Sequence, residues 1–420
     1  MLDPGLNGTS GLSHNYEVAN VRSQESIQAT MQRTNTVKEL LMLKRQKWNC
    51  SKEDNCMEHT FKSAKQETCT GDASPHTLGP HVPVNPNTPT HFPPACPDSV
   101  HLKHMQSPAH WGNVAQTAEI KISLFYWQIQ QAEQKVGDIS PELLTWQDAD
   151  GDTYLHIAVA QGRRALAYVL AGKMAKCGAL DVKEHNGQTA LQIATAINHH
   201  LIVRDLLAHG AQINTHDFWG RSPLHVCSEK GHFLSLQTIC NSFFESGQTM
   251  DVDIFNYDGL TPLHTAVLFH NKVIKELRPL ESPCSYLVIE LMQRKHMFIK
   301  CIQTLLLMGA SLTTKDLKSG RTCLHMASEE ANMELLQLFL DQPQSLSVVN
   351  VKTFSGNTAL HIVSALQNHK SQVEAVKLLM RKGADPGARN YENELPSQLV
   401  PGGPIDEKVR QILKGKGVYA

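Results

Sequence analysis

The chain has 420 residues and a formal net charge of −1, with 39 Lys plus Arg against 40 Asp plus Glu. That balance excludes a nucleic-acid binder working by bulk positive charge, and equally an acidic, self-repelling chain. No run approaches the roughly 18–20 apolar residues needed to cross a bilayer, so no membrane span is expected.

Residues 1–115 read as a largely disordered, Pro/His/Ser/Thr-rich regulatory region. Between Asp72 and Pro108 the stretch SPHTLGPHVPVNPNTPTHFPPACPDS offers little apolar surface to offset the cost of ordering the chain. The opening, MLDPGLNGTSGLSHNYEVANV, has no basic start followed by an apolar stretch, so export is not expected. The 10 cysteines are irregularly spaced, which predicts reduced thiols in cytosol or nucleus. His76, His81, His91, His101, His104 and Cys96 cluster here, but fit no compact zinc spacing, and no metal or cofactor is expected.

One island in this half is patterned. In residues 36–47, TVKELLMLKRQK, the apolar Val37, Leu40 and Leu41 fall at helical spacing and Lys44, Arg45 and Lys47 come after them. An amphipathic segment this short cannot bury its apolar side alone, so it is a candidate for folding on a partner, or a nuclear-import cluster. Residues 120–147, with SLFYWQIQQAEQKVGDISPELL, read as an N-terminal capping helical segment.

From residue 148 to about 400 the chain repeats itself. DGDTYLHIA, NGQTALQIA, WGRSPLHVC, DGLTPLHTA, SGRTCLHMA and SGNTALHIV are six clear copies. Their Thr or Ser stands at 153, 189, 222, 261, 322 and 358, and ENELPSQLV from Glu392 is a degenerate seventh. A period near 33 with T-P-L-H-x-A predicts an all-α ankyrin-repeat solenoid, in which each unit is a β-turn tip and two helices. Gly before the Thr turns the chain, Thr caps the first helix, and Gly210, Gly309 and Gly383 end second helices. The 61-residue step from Thr261 to Thr322 holds an insertion at about 275–297, expected as a loop or short extra helix outside the stack. A smaller insertion falls near 242–250, and residues 401–420 read as a C-terminal cap and tail.

No P-loop, G-x-S-x-G elbow, H-E-x-x-H or kinase signature occurs, so no catalytic residues are assigned. His156, His225, His264, His325 and His361 hold the fourth motif position, where a structural hydrogen-bonding role is expected. What remains for function is surface. Asn186, Phe218, Trp219, Tyr257, Phe354 and Tyr391 fall at tips, where rings serve as interface anchors unless each simply packs on its neighbour. Asp148, Asp150 and Asp152 with Glu184 form an acidic edge suited to a basic peptide. Residues 370–420 carry nine Lys/Arg against six Asp/Glu, a net +3.

From Ser123 to Lys416 the chain resembles the IκB family, specifically its atypical nuclear members. DGDTYLHIAVAQGRRALAYVLA, LDVKEHNGQTA, WGRSPLHVCSEKGH, NYDGLTPLH and LLMRKGADPGARNYENE carry the likeness. The resemblance implies binding of Rel/NF-κB dimers through the stack, with the acidic first units meeting the basic nuclear-localisation segment of a Rel subunit. It also implies a nuclear cofactor acting on inflammatory and immune genes with homodimers of the subunit that lacks an activation domain. The paired-serine degron and acidic tail of cytoplasmic members are missing, so contact with DNA is expected only through the bound dimer. A cytoplasmic inhibitor that retains Rel dimers and a generic ankyrin scaffold are the alternatives. VKELLMLKRQK is also similar to the short motif of Oct-binding coactivators, which implies a POU transcription factor as a second partner.

Overall fold

A computed structural model describes residue 37 and residues 123–247, 249–280, 285–367 and 369–415, all within one compact unit. Among the described residues the regular structure is entirely helical. Two lead-in helices, α1 (Leu124–Val136) and α2 (Pro141–Thr145), precede the repeats. The pairs are α3 (Tyr154–Ala160) with α4 (Arg164–Lys176), α5 (Ala190–Ala196) with α6 (His200–Ala208), and α7 (Pro223–Lys230) with α8 (Phe233–Ser246). They continue as α9 (Pro262–Leu277) with α10 (Tyr286–Leu307), and α11 (Cys323–Glu329) with α12 (Met333–Leu340). After a short α13 (Ser345–Val348) come α14 (Ala359–Ser364) and α15 (Gln372–Arg381). The degenerate seventh unit keeps only a 3₁₀ turn, Pro396–Gln398, before α16 (Pro404–Leu413).

The first helix of each pair starts where the Thr or Ser predicts. Ser222 Oγ accepts from the His225 amide at 3.4 Å, and Thr261 Oγ1 from the His264 amide at 3.3 Å. Pro223 and Pro262 stand in the first turn, where a missing N–H costs least. Second helices α6, α10 and α15 stop at Gly210, Gly309 and Gly383, whose φ values of 93°, 97° and 91° favour glycine. Leu224, Leu263 and Ala266 are buried in one apolar core running through the stack. Each buried Leu contributes roughly 1.5–3 kcal/mol, but only because a neighbouring unit covers it.

The insertion departs from expectation. Instead of leaving the stack, it lengthens its own helices: α9 has 16 residues and α10 has 22, against seven in α3. The added turns are stabilised by burial and polar contacts. Val273, Leu291 and Phe298 form a separate small core. Asn271 Nδ2 donates to the Met326 carbonyl at 2.7 Å, and Asn332 Nδ2 donates to Asn271 Oδ1 at 2.8 Å. Lys275 and Arg278 both pair with Glu330, at 2.7 and 2.9 Å. The smaller insertion is likewise spent on helix, in the 14 residues of α8.

The lead-in is fastened through a ring. Arg164 lies 3.7 Å above the Phe125 ring while its guanidinium grips Asp205 at 2.6 and 3.0 Å. Phe125 also meets Tyr168 edge-on at 5.9 Å. Phe125 thus joins α1 to α4, whose Arg164 in turn holds Asp205 of α6.

Candidate protein-binding surface

Successive tips are joined by a backbone ladder. The Phe218 amide donates to the Asn186 carbonyl at 3.0 Å, Tyr257 to Trp219 at 3.1 Å, Phe354 to Ser319 at 3.0 Å and Tyr391 to Ser355 at 3.2 Å. Each of these four rings also lies on the glycine of the preceding tip. A methyl group on Gly220 would meet the Tyr257 ring at 2.5 Å, and one on Gly187 would meet Phe218 at 2.6 Å. The same contact recurs for Gly320 with Phe354 and Gly356 with Tyr391. Yet the rings keep their outer faces in water: Phe218, Phe354 and Tyr391 are exposed, and Tyr257 is 77 % exposed. Packing on the neighbour and presenting a face outward are therefore not alternatives here.

Asn186 and Trp219 occupy the next tip position rather than the ring position. Asn186 Nδ2 donates to Glu184 Oε2 at 2.8 Å. Trp219 is 53 % exposed and stacks against the Arg221 guanidinium at 4.8 Å. A surface that presents rings from an immobilised backbone suits protein recognition, because little conformational freedom is left to lose on binding.

The four acidic residues predicted at the first edge are together, but they do different work. Asp148 Oδ1 accepts from the Asp150 and Asp152 amides, both at 2.9 Å. Glu184 accepts from the Asn186 and Gln188 amides at 2.9 Å. Asp217, Asn256, Asp316, Thr353 and Asn390 receive equivalent amides in later tips. Asp148 and Glu184 are thus tip-turn acceptors as well as charges, and Glu184 is buried. Asp152 is 2 % exposed, and its Oδ1 has no hydrogen-bond partner. Burial, with Asp148, Glu184 and Asp150 nearby, pushes its carboxyl up to about 7. Asp150 and Asp148, both half-buried, are the members most open to solvent.

Three of the five motif histidines, His225, His325 and His361, fasten one tip to the next, whereas Nε2 of His156 and of His264 is buried with no hydrogen-bond partner. His225 Nδ1 accepts the Ser222 amide at 3.2 Å, and its Nε2 reaches the Leu260 carbonyl of the next tip at 2.9 Å. His325 and His361 repeat this link to Val351 and Glu394. Burial drives His225 and His325 down to about 4, which keeps both rings neutral. Gln192 does the same work without a ring: Oε1 accepts from Thr189 at 3.1 Å and Nε2 donates to the Arg221 carbonyl at 2.7 Å.

A second repeated device was not singled out from sequence, although its signal is present. GRSPLHVCSE and GRTCLHMASE share an Arg and a Glu at matching positions. Arg221 bridges Asp217 at 2.8 Å and Glu229 at 2.7 Å, while Arg321 bridges Asp316 at 3.1 Å and Glu329 at 2.8 Å. Asp316 is held down to about 2, where burial is outweighed by hydrogen bonds from Ser319 and Arg321. These ions brace the tips that carry Trp219 and Lys318.

Within the predicted motif 36–47, only Val37 belongs to the described residues; Leu40, Leu41, Lys44, Arg45 and Lys47 lie outside them. Val37 is 4 % exposed and forms part of the stack's core. The histidine-rich stretch also lies outside, and among the described residues no group of His, Cys, Asp or Glu is arranged to hold a metal. The described cysteines are free thiols: Cys177, Cys227, Cys240, Cys301 and Cys323.

Paired helices, capped tips and an outward row of rings define an ankyrin-repeat protein. A family model described as ankyrin repeats (3 copies) matches residues 132–217, 155–251 and 292–390. The chain belongs to the NF-kappa-B inhibitor, or IκB, family. It is 41 % identical over 290 residues to NF-kappa-B inhibitor delta of Mus musculus, a match covering 68 % of this chain and 84 % of that relative. To NF-kappa-B inhibitor zeta of Homo sapiens it is 54 % identical over 310 residues, covering 74 % of this chain and 43 % of that relative. The chain thus spans less than half the length of the zeta relatives it matches. Among solved structures, the ankyrin repeat domain of Bcl-3, described as a unique member of the IkappaB protein family, aligns with a TM-score of 0.50 and 30 % identity. That alignment covers 63 % of this chain and all of the Bcl-3 domain. These relatives are NF-kappa-B inhibitors and a member of the IkappaB protein family.

Proposed function

We propose that this chain regulates NF-κB-dependent transcription in the nucleus by binding Rel/NF-κB dimers along its ankyrin tips. The observation that carries this reading is the row of exposed rings, Phe218, Trp219, Tyr257, Phe354 and Tyr391, on hydrogen-bonded tips. Family membership supplies the class of partner. Asp148 and Asp150, with Asp152 and Glu184 behind them, receive the basic segment of a Rel subunit; the C-terminal end, net positive, is compatible with phosphate nearby. The preferred dimer is a homodimer of the subunit without an activation domain, and target genes are inflammatory and immune. The POU-factor contact through 36–47 is a separate, second proposal.

The test is a gel shift with purified chain, Rel homodimer and cognate DNA. A slower band containing all three supports the nuclear reading. Loss of the Rel–DNA band favours a cytoplasmic inhibitor instead, and no effect at micromolar protein favours an unrelated scaffold.

A further inference from the structure

α1 packs on α4 much as one second helix packs on the next, but among the described residues no first helix precedes it. The connection from α3 to α4 is therefore covered on one side only. On that side a methyl group on Gly162 would meet the His199 ring of the following unit at 3.0 Å. The other side opens into a cavity of about 500 Å³ between α1 and the start of α4. Its walls are fixed: Arg164 lies on the Phe125 ring near the start of α1, and Lys173 Nζ donates to the Gly137 carbonyl at its end, at 2.9 Å.

The lining combines two chemistries. Ala132, Val136 and Leu170 form a buried apolar floor, and Trp127 stands at the margin, 52 % exposed. Lys135, Arg163 and Arg164 also line the cavity, and no Asp or Glu does. Arg164 is spent on Asp205, while Lys135 is exposed and carries positive charge to the rim. The apolar character continues along the stack. Leu201 and Leu234 stand 12 residues after the motif Thr or Ser, the position Ala165 holds in the first unit, and both are exposed. Arg204, one turn beyond Leu201 on α6, is exposed as well. Equal positions in consecutive units of a solenoid lie side by side. At 8–10 Å per packed helix the strip from Ala165 to Leu234 runs about 20 Å, the length of a helix of about 13 residues. A bare anion would leave the apolar floor unused, whereas a peptide with acidic and apolar faces uses both.

We propose that this groove is a docking site for an acidic amphipathic helix of another protein. The helix seats a bulky apolar side chain over Ala132 and Val136 beside Trp127, and sets carboxylates towards Lys135 and Arg163. The connection from α3 to α4 lies at the far end of α3 from tip residues 148–151, about 10 Å away along a helix of 7 residues. The groove is thus separate from the ring-bearing tips, and both can be occupied at once.

Fluorescence anisotropy of the full chain with a labelled helical peptide of Glu, Asp, Leu and Phe, about 16 residues long, tests the proposal. Saturable micromolar binding is expected. Trp127→Ala, Lys135→Glu and Leu201→Glu, all at exposed positions, are each expected to weaken it about fivefold to tenfold with unchanged helical circular dichroism. Trp219→Ala with Tyr257→Ala is expected to leave it unchanged. Replacing the peptide's Leu and Phe by Ser is expected to abolish binding. No binding of the acidic peptide, equal binding of its Ser-substituted form, or tighter binding of a single-stranded oligonucleotide of equal charge overturns the proposal. Wild-type affinity in all three groove variants, or loss of binding in the tip variant, overturns it too.

Discussion

The inside of the stack and its tips use the same repeat spacing for opposite ends. Inside, His225, His325 and His361 bury a polar ring and spend both nitrogens on backbone groups, one within the unit and one in the next. At the tips, Tyr257 and Tyr391 leave apolar rings in water while the backbone beneath is fixed by the adjacent tip. A buried polar group without a partner costs about 1–3 kcal/mol, so the inner set is held by stability alone. Exposed rings gain little from folding, and their placement makes sense as contact area for another protein. The lesson is that the motif residues easiest to read are the buried fasteners, not the exposed rings.

Three substitutions break this contrast from its stable side. His225→Ala removes the acceptor for Ser222 and the link to Leu260, and is expected to cost about 3 kcal/mol by denaturant unfolding. His225→Gln should recover at least half of that, because Gln192 fills the same role one repeat earlier. Gly220→Ala, at φ 71° and against the Tyr257 ring, is expected to cost about 2 kcal/mol. It should also shift Tyr257 fluorescence, since the ring must move to admit the methyl group.

Asp152 supplies the smallest effect and a sign that can be checked. Its carboxyl is raised from 3.8 to about 7 in the folded chain, chiefly by burial. The folded state therefore holds this proton more tightly than the unfolded state. The contribution is fully present below pH 3.8 and is lost as pH rises towards 7. Asp152→Asn removes the dependence because the amide does not titrate. The variant is expected to match wild type near pH 4 and to exceed it by about 1–2 kcal/mol at pH 8. A difference that does not grow with pH would show that Asp152 titrates normally.

The repeats were legible because Thr and His recur three residues apart, and that spacing is the capping bond itself. The tips were legible in part. Phe218, Tyr257, Phe354 and Tyr391 share one position, but Asn186 and Trp219 belong to the next, a one-residue shift that sequence comparison blurs. The turn-holding work of Asp148 and Glu184 was hidden because Asp, Glu, Asn and Thr all perform it in different units. Charge was visible, the backbone amides consuming it were not. The insertion was misread for a related reason. Its polar residues Lys275 and Arg278 suggest a solvated loop, whereas both pair with Glu330 of the next repeat. The burial of Val37 is not legible, since nothing local in a sequence reports packing against a stack whose lead-in helix starts 86 residues (38–123) further on.

The most direct measurement is the affinity of the full chain for a Rel homodimer on its DNA, compared with a variant carrying Trp219→Ala and Tyr257→Ala together. Weakening by about tenfold or more, with unchanged helical circular dichroism and unfolding midpoint, is the predicted result. Undiminished affinity in a folded variant would contradict the claim that these tips are the contact surface.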